Sequence, residues 1–482
     1  MPRDKKTNDL IPKESKRSLS RDNTETVEPK YCPMIIEIEK PKENIFDEEA
    51  DIKFSTNIDY SRFSYGFHHF IHANKNKMEI LKQFEGKKKV YLVMNDFERY
   101  IDNYDKSIGD ETKNYFNLGK KPDVLSRAFY KLWEILCMFD LIDKKNPKFV
   151  SAHLAEGPGS FIQATMFYRD YVCKKDLSKN DKYYAVTLHS EDAGVYIVPE
   201  MEQKFVDYYE HEKPQRFFMH KTYTKQVAGG NNDKDNGDIT DPKTIKLFGG
   251  QMSEKAHLIT GDGGFEWANE NIQEQEAFKL ILSQIVAATK LQAHGGNFVC
   301  KFFETFSTTS AKLISMLTQL YNHVYFVKPL TSRSSNSEKY AVCMGFKFSE
   351  KDNEYKKITK KLDHLLELSH KSGNMKMVDL FTSYHIPQSI SSLLIQLNTT
   401  IANRQLKSIN EIVSFIKAQN FYGDQYQERR EQQIVATQFW LKTFYPNRDN
   451  TEESEKNITN MKKYSLNINK NGADGFSKSI TY

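Results

Sequence analysis

The 482-residue chain sets 69 Lys and Arg against 64 Asp and Glu, a formal charge of +5 at pH 7. That balance excludes a histone-like binder held by bulk attraction and leaves any nucleic-acid affinity to local patches. Five scattered cysteines (Cys32, Cys137, Cys173, Cys300 and Cys343) never form C-x-x-C, so neither a disulfide framework nor a zinc module is expected, and a reducing compartment fits.

At about 100 to 200 residues per domain, the length suggests one catalytic domain with additions. Residues 1–30 are polar and charged, which predicts a disordered tail; the Lys5-Lys6 and Lys16-Arg17 pairs read as solvated charge. The chain has no run of ~18 apolar residues and its N-terminus lacks an apolar h-region, so the expectation is an intracellular protein with no membrane span, nucleus or cytoplasm undecided. Residues 31–120 read as an ordered elaboration with a short strand (MIIEIE), an aromatic stretch and a strand-like VYLVM. His68 and His72 share a helix face at i, i+4, a spacing that suits a metal. With no acidic or cysteine partner nearby in sequence, packing or surface histidines are expected and no metal site is assigned.

Within 121–350, DVLSRAFYKLWEILCMFDLI has the period of a helix with one buried stripe, and Lys131 lies off that stripe. FVSAHLAE then reads as a buried strand that GPGSF turns directly into a helix. Such a turn lets backbone approach a ligand and leaves helix amides facing it. YYAVTL and RFFMH are strand candidates, and a polar loop leads to Asp238 and to a helix starting at Asp241-Pro242. Next come HLIT with GDGGFEW, a long amphipathic segment, NFVCKFF, another helical pattern, VYFVKPL and SEKYAVCMGFK. Strands alternating with helices predict an α/β fold with a parallel sheet. The connection TSRSSNSE is too short for a parallel crossover, roughly a dozen residues or more, so the last two strands should pair antiparallel. That combination is the Rossmann-like layout that resembles S-adenosylmethionine-dependent methyltransferases. Asp262, Lys301 and Glu338 fall at strand ends, where an open α/β sheet gathers its site.

Beyond Lys347, Tyr355 to Leu368, Met375 to His385, Ile390 to Ile416 and Glu428 to Phe444 read as helices, making 351–446 a helical accessory region with nothing that looks catalytic. Residues 447–482 are rich in Asn, Lys and Ser and are expected to be disordered.

Taken in order, SRAFYKL, HLAEGPGSF, GDITDPKTI, LITGDGGFEW, GGNFVCKFFETF and FVKPLTSRSSNSEKYAVCMGFK resemble the FtsJ-like ribose 2′-O-methyltransferase family, in particular its eukaryotic and viral mRNA cap branch. The resemblance covers roughly Val124 to Lys347 and rests on several motifs in the right order. Where the family has a paired glycine after proline, this chain has Gly159-Ser160. The resemblance implies a tetrad of Lys131, Asp262, Lys301 and Glu338. It also implies S-adenosyl-L-methionine as cofactor, held by Glu156, Gly157, Pro158, Gly159, Ser160, Phe161, Asp238 and Asp262.

Methyl transfer from a sulfonium to a ribose hydroxyl is an in-line displacement that also needs a proton removed. Lys301 is the expected base. A neighbouring cation such as Lys131, together with desolvation, favours a neutral lysine, while Asp262 and Glu338 orient the two ammonium groups. The expected substrate is a single RNA strand, the 5′ end of capped mRNA, touched by Lys328, Arg333 and Asn336. Two alternatives stand beside this reading: the same reaction on ribosomal or transfer RNA, and a catalytically silent RNA-binding subunit with this fold.

Overall fold

The computed structural model describes residues 29–57, 62–84, 94–98, 107–173, 176–189, 200–220, 236–264, 270–419, 423–447 and 449–479. Ten strands occur among them: β1 (Met34–Ile38), β2 (Ile52–Ser55), β3 (Val150–Leu154), β4 (Lys182–Val186), β5 (Phe217–Met219), β6 (Ala256–Gly261), β7 (Gln292–Phe302), β8 (Tyr321–Lys328), β9 (Lys339–Phe346) and β10 (Lys376–Leu380). Eight form one sheet in the order β1-β8-β9-β7-β6-β3-β4-β5. The five strands β5, β4, β3, β6 and β7 run parallel. β9 then inserts antiparallel between β7 and β8, and β1 adds antiparallel to β8. The short TSRSSNSE connection thus joins an antiparallel pair, as its length requires.

Twelve α-helices occur among the described residues: α1 (Tyr65–Lys75), α2 (Ile108–Phe116), α3 (Ala128–Phe139), α4 (Ser160–Phe167), α5 (Gln203–Glu210), α6 (Pro242–Gln251), α7 (Gln273–Leu291), α8 (Thr308–Leu320), α9 (Asn353–Lys371), α10 (Gln388–Ala418), α11 (Asp424–Phe444) and α12 (Thr451–Ser479). Every residue of β3 is buried, as expected of a parallel strand covered on both faces. One core gathers Phe278, Leu282, Leu313, Leu317, Leu365 and Leu394 from α7 to α10. The other gathers Phe129, Trp133, Phe161, Tyr209 and Trp440 from α3, α4, α5 and α11 on the opposite face. No helix among the described residues is long and apolar enough to cross a membrane.

The register of the sheet decides where polar side chains emerge. Leu154 pairs with Gly261, Gly261 with Cys300, Cys300 with Ala341, and Lys301 with Tyr340. The carboxyl ends of β3, β6 and β7 and the start of β9 are therefore level. Residues just past those ends share one edge, the side on which open α/β sheets bind ligands.

Two expectations are corrected. Met375 to His385 is not a helix; its Lys376–Leu380 segment pairs antiparallel with β2, with Met377 opposite Phe54. Much of 447–482 is helical rather than disordered, because α12 lies along β1. There the Ile35 amide donates to Ser465 Oγ at 2.8 Å, Ser465 Oγ donates to the Pro33 carbonyl at 3.0 Å, and Met461 is buried. The expected tail before residue 29 and most of VYLVM fall outside the described residues.

Candidate active site

Helix α3 is buried almost throughout, and Lys131 is one of its few half-buried positions. Its Nζ lies 2.7 Å from Glu338 Oε1, at the start of β9. Lys301, the penultimate residue of β7, points its Nζ at Asp262, 3.1 Å from Oδ1 and 2.8 Å from the main-chain oxygen. The four expected groups thus form two ion pairs at one sheet edge. The sequence did not single out Tyr340, whose buried phenol donates to Asp262 Oδ1 at 3.2 Å. Tyr340 faces Lys301 across the β7–β9 pairing, so the strand register sets that bond.

Burial alone would raise the Glu338 carboxyl, but Lys131, Lys301 and Lys328 outweigh it and hold it down to about 2. Glu338 is therefore an anion throughout any working pH range. Burial pulls the Lys328 ammonium down to about 7. Glu338 opposes that, and Lys131, Lys339 and Arg404 add to it.

The backbone after Asp262 runs close to the lysine. A Cβ on Gly264 would lie 3.0 Å from Lys301 Nζ. Glu134, one turn beyond Lys131 and fully buried, accepts from the Leu330 amide at 2.7 Å, the Thr331 amide at 3.0 Å and Trp440 Nε1 at 3.0 Å. It ties the helix carrying Lys131 to the loop leading to Glu338. A buried glutamate in an apolar helix was the available sequence signal for this role.

The residues expected to touch RNA are less available than their types suggested. Lys328 is buried, and its ammonium donates to Ser332 Oγ, to both the carbonyl and Oδ1 of Asn336, and to the Glu338 carbonyl, at 2.8 to 3.1 Å. A phosphate contact from Lys328 is therefore corrected to an internal brace of the β8–β9 loop, with Asn336 Oδ1 as one of its acceptors. Arg333 is half-buried, and its Nε donates to Glu98 Oε1 at 3.0 Å; Arg127 pairs with the same carboxylate and reaches the Thr331 carbonyl at 2.6 Å.

At the glycine turn, Gly159 has φ +111°, and a Cβ there would lie 3.1 Å from both Leu125 Cδ1 and Met201 Cε. The conformation and the crowding both demand glycine. Glu156 is buried, with Oε1 accepting from the Phe161 and Ile162 amides at 2.8 Å each. Its Oε2 has no hydrogen-bond donor among the described residues. Ser160, at the paired-glycine position, is buried and shares a 2.7 Å bond with Ser126 Oγ, which accommodates its side chain. The Gly157 amide reaches Thr187 Oγ1 at 3.3 Å, and a Cβ on Gly237 would collide with the Thr187 carbonyl. The turn, the end of β4 and the Gly237-Asp238 segment therefore adjoin. Asp238 Oδ1 accepts from the Thr240 amide and hydroxyl at 2.9 and 2.8 Å. Asp238 and the second oxygen of Glu156 thus place acceptor oxygens beside the turn, the complement of a ligand's donor groups.

The histidine pair has a partner that sequence spacing concealed. Glu304, two residues past β7, puts Oε2 2.9 Å from His72 Nε2 and Oε1 2.6 Å from Lys75 Nζ. The donor atoms of His68, His72 and Glu304 all lie within 4.8 Å of one another, a group able to hold a metal ion. The acid that sequence spacing did not offer comes from the segment after β7. Lys75 already neutralises the carboxylate.

Residues 124–346 match the family model described as FtsJ-like methyltransferase. This segment is similar to FtsJ-like methyltransferases. It holds the whole tetrad and the glycine turn, while α1 and α10 lie outside it. Among curated proteins, the chain is 27% identical over 337 residues to "Cap-specific mRNA (nucleoside-2′-O-)-methyltransferase 1A" of Caenorhabditis briggsae, covering 68% of this chain and 35% of that protein. It is 30% identical over 289 residues to "Cap-specific mRNA (nucleoside-2′-O-)-methyltransferase 1" of Caenorhabditis elegans, covering 58% and 28%. It is 29% identical over 287 residues to the "Inactive cap-specific mRNA (nucleoside-2′-O-)-methyltransferase 1B" of Caenorhabditis briggsae, covering 58% and 31%. The chain spans about a third of the length of these relatives.

Proposed function

We propose that the chain is an S-adenosylmethionine-dependent RNA ribose 2′-O-methyltransferase acting on the cap-proximal nucleotide of mRNA. The observation that carries this reading is the pairing of Lys131 with Glu338 and Lys301 with Asp262 at the sheet edge that also holds the glycine turn. One relative is named inactive, so activity is argued from these residues and not from kinship. A silent subunit has no chemical need for two lysines and two carboxylates in one place.

Glu156, Gly157, Gly159, Ser160, Phe161 and Asp238 would hold S-adenosyl-L-methionine, which supplies an electrophilic methyl on sulfonium when bound. Lys301 takes the proton of the ribose 2′-hydroxyl. Asp262 aims the Lys301 amine, through both its carboxylate and its carbonyl, and Tyr340 fixes that carboxylate in turn. Lys131, held by Glu338, keeps a second positive charge near the developing alkoxide. Lys328 and Glu134 hold the loop on which Glu338 rides.

The relatives' names favour capped mRNA over ribosomal or transfer RNA. With a formal charge of only +5, selection rests on a cap pocket or base stacking, each stack contributing about 1 to 3 kcal/mol. Capped oligonucleotides are expected to be methylated at least roughly tenfold more efficiently than uncapped ones of identical sequence, about 1.4 kcal/mol in transition-state binding. Transfer from labelled cofactor, followed by nuclease mapping, measures this. Equal rates on both with a steep salt slope would move the substrate to structured RNA.

A further inference from the structure

We infer that α10, which lies outside the segment matched by the FtsJ-like model, is the brace that sets the spacing between the loop that follows Lys301 and the loop that precedes Glu338, with Asn398 and Gln405 as its positioning residues. This rests on the proposed methyl transfer. Asn398 is buried and bonds reciprocally to Thr305, four residues past Lys301: its Nδ2 donates to the Thr305 carbonyl at 2.9 Å, and its Oδ1 accepts from Thr305 Oγ1 at 2.8 Å. Gln405 is fully buried, and its Nε2 donates to the Ser335 carbonyl at 3.0 Å, three residues before Glu338. Seven residues apart, they lie on one helix face about 10 Å apart along the axis. One rigid helix thus grips the loop after β7 and the loop before β9.

The grip is close because small and apolar groups fill the space between the two amides. Ala402, on the same face, is fully buried in a cluster with Phe306 of the post-β7 segment and Ile71 of α1. That segment is held elsewhere too. The Arg62 and Phe63 amides both donate to the Phe306 carbonyl at 2.9 Å, and Ser307 N donates to Glu274 Oε1 at 2.9 Å. Lys339 Nζ donates to the Phe303 carbonyl. The β8–β9 loop has its internal brace in Lys328, so the bond from Gln405 locates the braced loop relative to β7. A lost amide at either position removes the bond through which α10 sets the distance between the two loops, and a misplacement of about 1 Å costs roughly a hundredfold in rate.

The test uses the full chain with Asn398→Leu and Gln405→Met, which keep volume and remove the hydrogen bonds. kcat, KM for capped RNA and hydrogen exchange at residues 303–307 and 333–338 are measured together, beside calorimetric binding of S-adenosylhomocysteine. The expected result is a kcat lowered roughly tenfold to a hundredfold, with KM and binding of S-adenosylhomocysteine little changed. Faster exchange is expected in the first loop for Asn398→Leu and in the second for Gln405→Met. Gln405→Glu, which keeps the length but not the donor, should not rescue activity. Folded variants with wild-type kcat overturn the inference, as does a fall in melting temperature with kcat per folded enzyme unchanged. A wild-type chain that transfers no methyl overturns the proposed function, and with it the catalytic meaning of α10, while the exchange data separately report whether the brace exists.

Discussion

Replacing Lys301 with alanine removes the one ammonium set 3.1 Å from Asp262 Oδ1 and 2.8 Å from the Asp262 carbonyl. The rest of the site keeps its partners. Asp262 retains the Tyr340 phenol at 3.2 Å, and Glu338 retains Lys131 at 2.7 Å. The glycine turn is fastened independently, by the bonds of Glu156 to the Phe161 and Ile162 amides. The loss should therefore fall on proton removal alone. General base catalysis is worth roughly 10² to 10⁴ in rate, so kcat is expected to drop about a thousandfold, or about 4 kcal/mol in the barrier. The Kd for S-adenosylhomocysteine should change by less than about threefold. Single-turnover transfer of a labelled methyl gives the first quantity and calorimetry the second. Lys301→Arg sharpens the test, since a guanidinium keeps the charge but cannot act as a base at neutral pH; it too should be inactive. Parallel losses of rate and cofactor affinity would make Lys301 structural, and an active Lys301→Arg would make its role electrostatic.

Three further outcomes are expected. Gly264→Ala places a methyl 3.0 Å from Lys301 Nζ and should lower kcat about tenfold with cofactor binding preserved, which the same pair of assays reads. Lys328 has a folded pKa of about 7, below the ~10.4 of an unfolded lysine. The unfolded chain then binds the extra proton between those values, so this residue's contribution to stability rises with pH across that window. Denaturation of wild type and Lys328→Met should diverge in favour of wild type from pH 7 to pH 9.5; a constant difference would contradict the placement. Arg169→Ala leaves buried Asp181 without the two guanidinium bonds at 2.7 and 2.8 Å, and should cost about 3 to 5 kcal/mol in stability by denaturant titration.

The four residues Lys131, Asp262, Lys301 and Glu338 were reached through the family resemblance, motif by motif. From residue type and position alone, Asp262, Lys301 and Glu338 stood out at strand ends, and the sheet register brings those ends level. The parts that hold them were not legible because their partners are distant in sequence. Thr305 meets Asn398 across 93 residues, Glu134 meets Trp440 across 306, and His72 meets Glu304 across 232. No spacing rule reaches that far. Lys328 misled in another way: its type suggested a phosphate, yet four oxygen acceptors enclose it. The Met375–His385 error has a similar origin, since a short apolar run fits a helix or a strand, and only the pairing with β2 decides it. The tail was read from its polar average, whereas α12 needs only Met461 and a few neighbours to dock on β1.

The most direct measurement uses two capped oligonucleotides identical except for a 2′-deoxyribose at the cap-proximal nucleotide, each incubated with the full chain and labelled S-adenosylmethionine. A ribose 2′-O-methyltransferase labels the first at that nucleotide and leaves the second unlabelled there. Equal label on both would place the methyl on a base or on the cap, and would contradict the role given to Lys301, Asp262, Lys131 and Glu338.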